Sequence, residues 1–301
     1  MIKLVLIDGN AILHRAYHAL PPTLTTKTGE PVNAVYGFVS MLLRVIIDLK
    51  PTHIAVAFDT AKPTFRHVEY VGYQANRPRT DSELSSQFEI TYKVLESMAI
   101  PTYKLAGFEA DDVLGTIAHQ LKNTEEVVIV TGDRDILQLV GGKIKVYMPV
   151  KSLADAKLYG ASDVVERMGV GPDKIIDYKA LVGDPSDNYF GVSGIGPKTA
   201  IGLIEKYGSV DNIYKHLGEI PEKTSKKLAE GAESAGLSRK LATIVTDVPI
   251  TFKIEDAAGW AVDGERVLKF FEEIGFKTLA KRVIEVGSLK LDFSNFYFPT
   301  S

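Results

Sequence analysis

Cysteine is absent from this chain, which excludes a disulfide framework and any thiolate metal site and agrees with a reducing compartment. Also missing are a low-complexity segment, an internal repeat of solenoid period, and an apolar run long enough to cross a membrane. Met1 leads directly into the strand-like run Ile2 to Ile7 without a signal-peptide cleavage pattern, so the expectation is a cytoplasmic protein with no membrane partner. The 301 residues, 45% hydrophobic and 24% charged, suffice for one large α/β domain or two unequal ones.

The acidic residues are unevenly placed. Nine of them stand in short clusters at the ends of apolar runs: Asp8, Asp59, Glu109 with Asp111 and Asp112, Asp133 with Asp135, and Asp184 with Asp187. Carboxylates repel one another, so a fold that gathers them needs cations. Oxygen ligands without His or Cys suit Mg²⁺ or Mn²⁺ rather than zinc, and two such ions roughly 3.5–4 Å apart form the usual clamp for phosphodiester displacement. These residues therefore point to a two-metal nuclease.

A net charge of −3 looks unfavourable for a protein that binds nucleic acid. Setting those nine aside from the 38 acids leaves 29 against 35 basic residues, a balance of +6 elsewhere. Basic residues concentrate in two stretches, Lys62, Arg66, Arg77 and Arg79, then Lys198, Lys206, Lys223, Lys226, Lys227, Arg239 and Lys240. Such patches can neutralise phosphates on either side of an acidic centre, or simply be solvated helix faces.

Ile2 to Ile7, Ile54 to Phe58, Val127 to Val130 and Ile144 to Val146 read as buried strands, separated by helical patterns at Val35 to Leu49, Ser82 to Met98 and Asp112 to Leu121. This alternation predicts an α/β fold, a mostly parallel sheet flanked by helices, with ligands beyond the carboxyl ends of the strands. Asp8, Asp59, and Asp133 with Asp135 follow three such ends. Glu109, Asp111 and Asp112 open a helix. One acid would satisfy its free N–H groups and dipole, whereas three in four residues favour a metal.

From about Tyr159 short helices replace strands, predicting a helical domain. Its centre is Gly183-Asp184-Pro185-Ser186-Asp187-Asn188, followed by Gly191-Val192-Ser193-Gly194-Ile195-Gly196-Pro197-Lys198-Thr199-Ala200. Glycines allow close backbone approach to a ligand, and Pro197 suits a helix start whose N–H groups can hold a phosphate. This pattern resembles a helix-hairpin-helix, with Gly194, Gly196, Lys198 and Thr199 at the backbone of a DNA duplex.

Leu6-Ile7-Asp8-Gly9-Asn10, Phe58-Asp59, Pro63-Thr64-Phe65-Arg66-His67, Tyr73-Gln74-Ala75-Asn76-Arg77, Gly107-Phe108-Glu109-Ala110-Asp111-Asp112, Gly132-Asp133-Arg134-Asp135, Gly183 to Asn188 and Leu237-Ser238-Arg239-Lys240-Leu241 occur in this order. Together they resemble the 5′ nuclease (5′-3′ exonuclease) domains of bacterial DNA polymerase I, in the flap endonuclease family, from the start of the chain to about Val283. The resemblance implies a structure-specific 5′ nuclease acting on DNA flaps, nicks and junctions and on RNA primers, next to a covalently linked or separate DNA polymerase. Two divalent ions are implied, Mg²⁺ or Mn²⁺, and some relatives also hold K⁺ at the hairpin.

Carried over, Asp8, Asp59, Glu109, Asp111, Asp112 and Asp133 would form or support one metal centre, and Asp135, Asp184 and Asp187 would lie nearer the second. Residues 66 to about 87 would form a helical arch over the 5′ strand. There Arg66 and Gln74 would lie at the DNA, Tyr73 would stack on a base and Arg77 would hold a phosphate. The expected division is a nuclease core over 1–158, a helical DNA-binding domain over 159–285 and a tail or linker start over 286–301. Two departures stand out: Gln74 replaces the usual arch-base lysine, and Tyr189-Phe190 replaces Ile-Pro. The first motivates an alternative, a catalytically weakened junction-binding module. A PIN-like ribonuclease, the third reading, would need neither the hairpin nor the arch.

Overall fold

The computed structural model describes residues 2–77, 81–123, 125–150 and 155–294. Arg79, Phe296, Tyr297 and Phe298, and the side chain of Phe293, lie outside the described residues.

Strand β1 (Lys3–Asp8) passes without a loop into helix α1 (Gly9–Ala19), then α2 (Asn33–Leu49), β2 (His53–Ala57), α3 (Phe65–Glu69), α4 (Ser82–Ser97), β3 (Thr102–Tyr103), α5 (Ala110–Leu121), β4 (Glu126–Val130), β5 (Ile144–Pro149) and β6 (Ala156–Tyr159). The strands form one sheet in the order β3-β2-β1-β4-β5-β6, parallel except for β6, which runs antiparallel to β5. Continuous Val, Ile and Leu runs suit the central strands because both of their faces are buried. Leu4 and Leu6 belong to one core, with Val113, Leu114 and Ile117 of α5, while Val5 and Ile7 face the other, with Phe38, Leu42 and Val45 of α2.

The strand and helix expectations agree with these elements to within a few residues. Helix α1 and the edge strands β3 and β6 escaped prediction: α1 follows its strand with no turn residue between, and the edges are too short to carry a period.

After β6 come α6 (Ala161–Met168), α7 (Ile175–Val182), the hairpin β7 (Gly183–Asp184) and β8 (Tyr189–Phe190), α8 (Pro197–Tyr207), α9 (Val210–Lys215), α10 (Glu222–Glu230) and α11 (Ala232–Ala242). Glycine is required where the β7–β8 hairpin closes. Gly183 has φ +74°, and a Cβ there would lie 2.4 Å from the Gly191 nitrogen. The chain then returns to the sheet. Trp260 donates from Nε1 to the Thr52 carbonyl at 3.2 Å. Helices α12 (Glu265–Ile274) and α13 (Lys277–Ser294) close the Val5/Ile7 core with Phe271, Leu279 and Val283. Among the described residues no helix is long and apolar enough to cross a membrane.

Candidate metal centre

Parallel register delivers acids to one edge. Asp8 ends β1 beside Ala57 of β2, two residues before Asp59, and Ile7 pairs with Val130 of β4, three residues before Asp133. Asp8 caps α1, its Oδ1 accepting from the Ala11 N–H at 2.9 Å and its Oδ2 from the Thr131 hydroxyl at 2.7 Å. Burial, with Asp59 and Asp133 nearby, pushes its pKa up to about 7. Asp59 is exposed, and its Oδ1 accepts from the Ala110 N–H at 2.7 Å, joining β2 to the start of α5.

The three acids opening α5 have separate surroundings. Glu109 is the N-cap, and burial pushes it up to about 7 against the pull of Arg66. The Tyr73 hydroxyl donates to it at 3.2 Å. Asp112 is fully buried and accepts four hydrogen bonds, from Arg66 Nη1 and Nη2 at 2.7 and 2.8 Å and from the Glu109 and Val245 N–H groups at 3.0 and 2.9 Å. Those four contacts use all the lone-pair positions that a carboxylate offers. Asp111 makes no side-chain hydrogen bond among the described residues. Burial raises its pKa well above the usual range, followed by Asp133, Asp8, Asp59 and Glu109 in that order, so acids from four chain segments converge on it.

A second group lies beyond β4 and between α7 and β8. Carboxylate oxygens of Asp135, Asp184 and Asp187 all fall within 4.8 Å of one another. Asp133 links the groups, since its charge raises the pKa of Asp135 and of Asp187, after burial in both cases. Lys179, near the end of α7, lies between Asp135 and Asp184 and donates to both, at 2.5 Å for Asp184. Burial opposes its charge, but the carboxylates, Asp135 first, hold its pKa above the ordinary lysine value. Asp135 nonetheless stays pushed up to about 7, by burial and then by Asp133. Asp184 is held below its usual value despite burial, by Lys179 and by Ser186, whose N–H and hydroxyl donate at 2.8 and 2.5 Å. Lys179 was not foreseen from sequence, although a lysine beside the apolar run Ala180-Leu181-Val182 and five residues before Asp184 is a usable signal.

Two residues expected at the DNA point inward. Arg66 is 2% exposed, and its remaining donors hold the Leu241 and Thr243 carbonyls at 2.9 and 2.8 Å. Tyr73 is buried against His67 and Tyr189 and cannot present its ring to a base in this arrangement. The described part of the expected arch is anchored at both ends: Arg66 is buried at its start, and Leu84 and Gln87 at its end. Its turn is tied to the second acidic group. The Gln74 N–H donates to the Asp187 carbonyl at 2.9 Å, Asn76 Nδ2 donates to the Pro185 carbonyl at 3.0 Å, and Arg77 pairs with the Asp187 carboxylate.

In the hairpin, Ser193, Gly194, Gly196, Pro197, Lys198 and Thr199 are exposed, while Val192, Ile195 and Ala200 are buried. Gly194 takes φ +75° and its carbonyl accepts from Lys227 Nζ at 2.9 Å, while Gly196 caps α8. Lys198, Lys206 and Lys223 are exposed, while Lys226, Arg239 and Lys240 pair with Glu230, Asp211 and Glu69. The second basic stretch is therefore partly neutralised within the chain.

Comparison with known proteins accords with this geometry. Residues 3–169 match the family model of the 5'-3' exonuclease N-terminal resolvase-like domain, and residues 170–265 that of the 5'-3' exonuclease C-terminal SAM fold. The chain is 41% identical over 283 residues to DNA polymerase I of Bacillus caldotenax, covering 93% of this chain and 32% of that protein. It is 42% identical over 287 residues to DNA polymerase I of Caldicellulosiruptor bescii, covering 94% and 33%. The chain thus spans about a third of the length of the curated relatives it matches. Among solved structures, T5 5'-exonuclease with bound divalent metal ions (zinc) superposes with a TM-score of 0.67 at 22% identity, over 96% of this chain and 99% of that one. The catalytic core of Rad2 in complex with DNA substrate gives 0.62 at 17% identity, over 95% and 92%. These two likenesses concern the fold.

Proposed function

Because this chain belongs to the 5'-3' exonuclease family, we propose that it is a metal-dependent 5′ nuclease. Its substrates on this reading are phosphodiesters at 5′ ends, flaps and nicks of DNA and in RNA primers, beside a polymerase in the same or a separate chain. The observation that carries the reading is the meeting at one sheet edge of Asp8, Asp59, Asp111 and Asp133 with the Asp135, Asp184 and Asp187 group. Concentrated negative charge is of no use to a protein that only binds phosphate, which weighs against the junction-binding alternative.

The all-oxygen donor set fits two divalent ions, and favours Mg²⁺ over softer metals. Bound there, the ions would supply an activated water and neutralise charge on the phosphate and leaving oxygen. Asp8, Asp59, Asp111 and Asp133 would hold the first, with Glu109 beside them, and Asp135, Asp184 and Asp187 the second. Asp112 has no lone pair to spare and serves to fix Arg66 and the start of α5. Lys179 offsets the mutual repulsion of Asp135 and Asp184. Arg77, exposed and paired with Asp187, would be the arch-base cation that meets a phosphate, and the hairpin with Lys198 would grip the duplex. Residues 1–158 would act as the nuclease core, 159–285 as the DNA-binding part and 286–301 as the tail.

A cleavage assay with end-labelled flap, nicked and single-stranded substrates, with and without Mg²⁺, tests this. Asp111→Ala and Asp187→Ala should each lower cleavage at least about 10²-fold, as loss of one transition-state contact does, with junction binding retained. Near-normal cleavage by both variants in Mg²⁺ refutes the assignment.

A further inference from the structure

Tyr189 lies in β8, directly opposite Asp184 in the hairpin register, so both side chains leave the hairpin on the same face. The residue is 2% exposed. Its ring is close to parallel with that of Tyr73, with centroids 6.5 Å apart and planes at 20°, and it packs with Leu241 and Ala242. The Tyr73 hydroxyl is used on Glu109 and Asp187. Among the described residues the Tyr189 hydroxyl is buried with no hydrogen-bond partner. Burying a phenol oxygen unpaired is unfavourable, and an apolar side chain would fill the same space without that cost. After burial itself, the groups acting on this phenol are Lys179, Asp135, Asp184 and Asp187, which are the acids of the second centre and the ammonium between them.

We propose that the Tyr189 hydroxyl hydrogen-bonds the hydration shell of a divalent cation held by Asp135, Asp184 and Asp187, and so positions that centre. The inference rests on the assignment of those three acids as the second metal site. Mg²⁺ and Mn²⁺ sites of this kind retain waters. A phenol can donate to or accept from such a water, whereas Asp184 already accepts from Lys179 and Ser186. Groups that orient a metal's ligands from outside commonly set its affinity. Tyr189 is thus a positioning residue, peculiar to a segment where the resemblance leads one to expect isoleucine.

The test is calorimetric titration of Mn²⁺ into the full chain as wild type, Asp184→Asn and Tyr189→Phe, at pH 8, with thermal melts in EDTA and in Mn²⁺. Asp184→Asn is expected to abolish one binding event. Tyr189→Phe is expected to weaken that same event about tenfold, to leave the EDTA melt unchanged or higher, and to shrink the rise that Mn²⁺ produces. An unaltered event in Tyr189→Phe overturns the proposal, including where the EDTA melt falls, because the phenol then serves packing alone. If Asp184→Asn removes no event, the second centre is misassigned and the proposal falls with it.

Discussion

Arg66 and Asp112 are joined by two hydrogen bonds of 2.7 and 2.8 Å beneath the acidic edge, with 2% and 0% of their surfaces exposed. The guanidinium also holds the Leu241 and Thr243 carbonyls, while the carboxylate holds the Val245 N–H. One pair therefore ties α3 and α5 to the end of α11. Removing one partner strands a buried charge, so Asp112→Ala or Arg66→Met should each cost about 3–5 kcal/mol. Chemical denaturation checks this, and a double replacement by apolar residues should lose less than the two singles combined. Single variants within about 1 kcal/mol of wild type, the ceiling for an exposed pair, would make the bridge a surface-like one.

Protonation couples to folding at the same edge. Asp8 and Asp135 start from 3.8 and Glu109 from 4.5 in the unfolded chain, and burial pushes each up to about 7. Through these three groups the folded state binds more protons than the unfolded state between these limits, a contribution that makes stability fall as pH rises and that the burial-lowered His14, His53 and His67 oppose. In EDTA the melting temperature should decline from about pH 5 to about pH 7.5, and saturating Mg²⁺ should reverse the decline at the upper end. A melting temperature that climbs across this window in EDTA contradicts the burial argument.

Gln74 sits at the turn leading to Arg77, with φ +54° and its N–H on the Asp187 carbonyl. Its side chain thus begins beside the second acidic group but carries no charge. A cation there would stabilise charge developing on a scissile phosphate, and one such contact is typically worth about 10²–10³ in rate. Gln74→Lys is expected to raise single-turnover cleavage of a flap with a smaller change in affinity. Equal rates for the two forms would mean that Arg77 or Lys62 already supplies the charge.

Lys198 is exposed in the first turn of α8, next to the glycine cap. Lys198→Ala should weaken duplex binding alike for unrelated DNA sequences and reduce the slope of log affinity against log salt by about one. Binding measured at several salt concentrations decides. An unchanged slope leaves the hairpin as a connector.

How much of this was legible beforehand depends on distance along the chain. Asp8, Asp59 and Asp133 were readable because parallel strands export whatever follows them to one edge, and the strand periods were strong. Glu109, Asp111 and Asp112 looked alike in sequence, yet they became an N-cap, an acid without a side-chain hydrogen bond among the described residues, and a buried ion-pair partner. Arg66 and Tyr73 looked like nucleic-acid contacts and became interior residues.

The amino-acid order by itself determined the alternating α/β architecture, the acidic edge and the glycine-rich hairpin, since each follows from local period, turn chemistry and strand polarity. Tertiary structure alone decided which charges are neutralised from within. Arg66 meets Asp112 across 46 positions, Lys179 meets Asp135 across 44, and the Tyr189 hydroxyl comes to rest near Asp135, Asp184 and Asp187 with no hydrogen-bond partner among the described residues. Pairing and desolvation depend on what surrounds a group after collapse, and that environment is assembled from segments far apart in the chain.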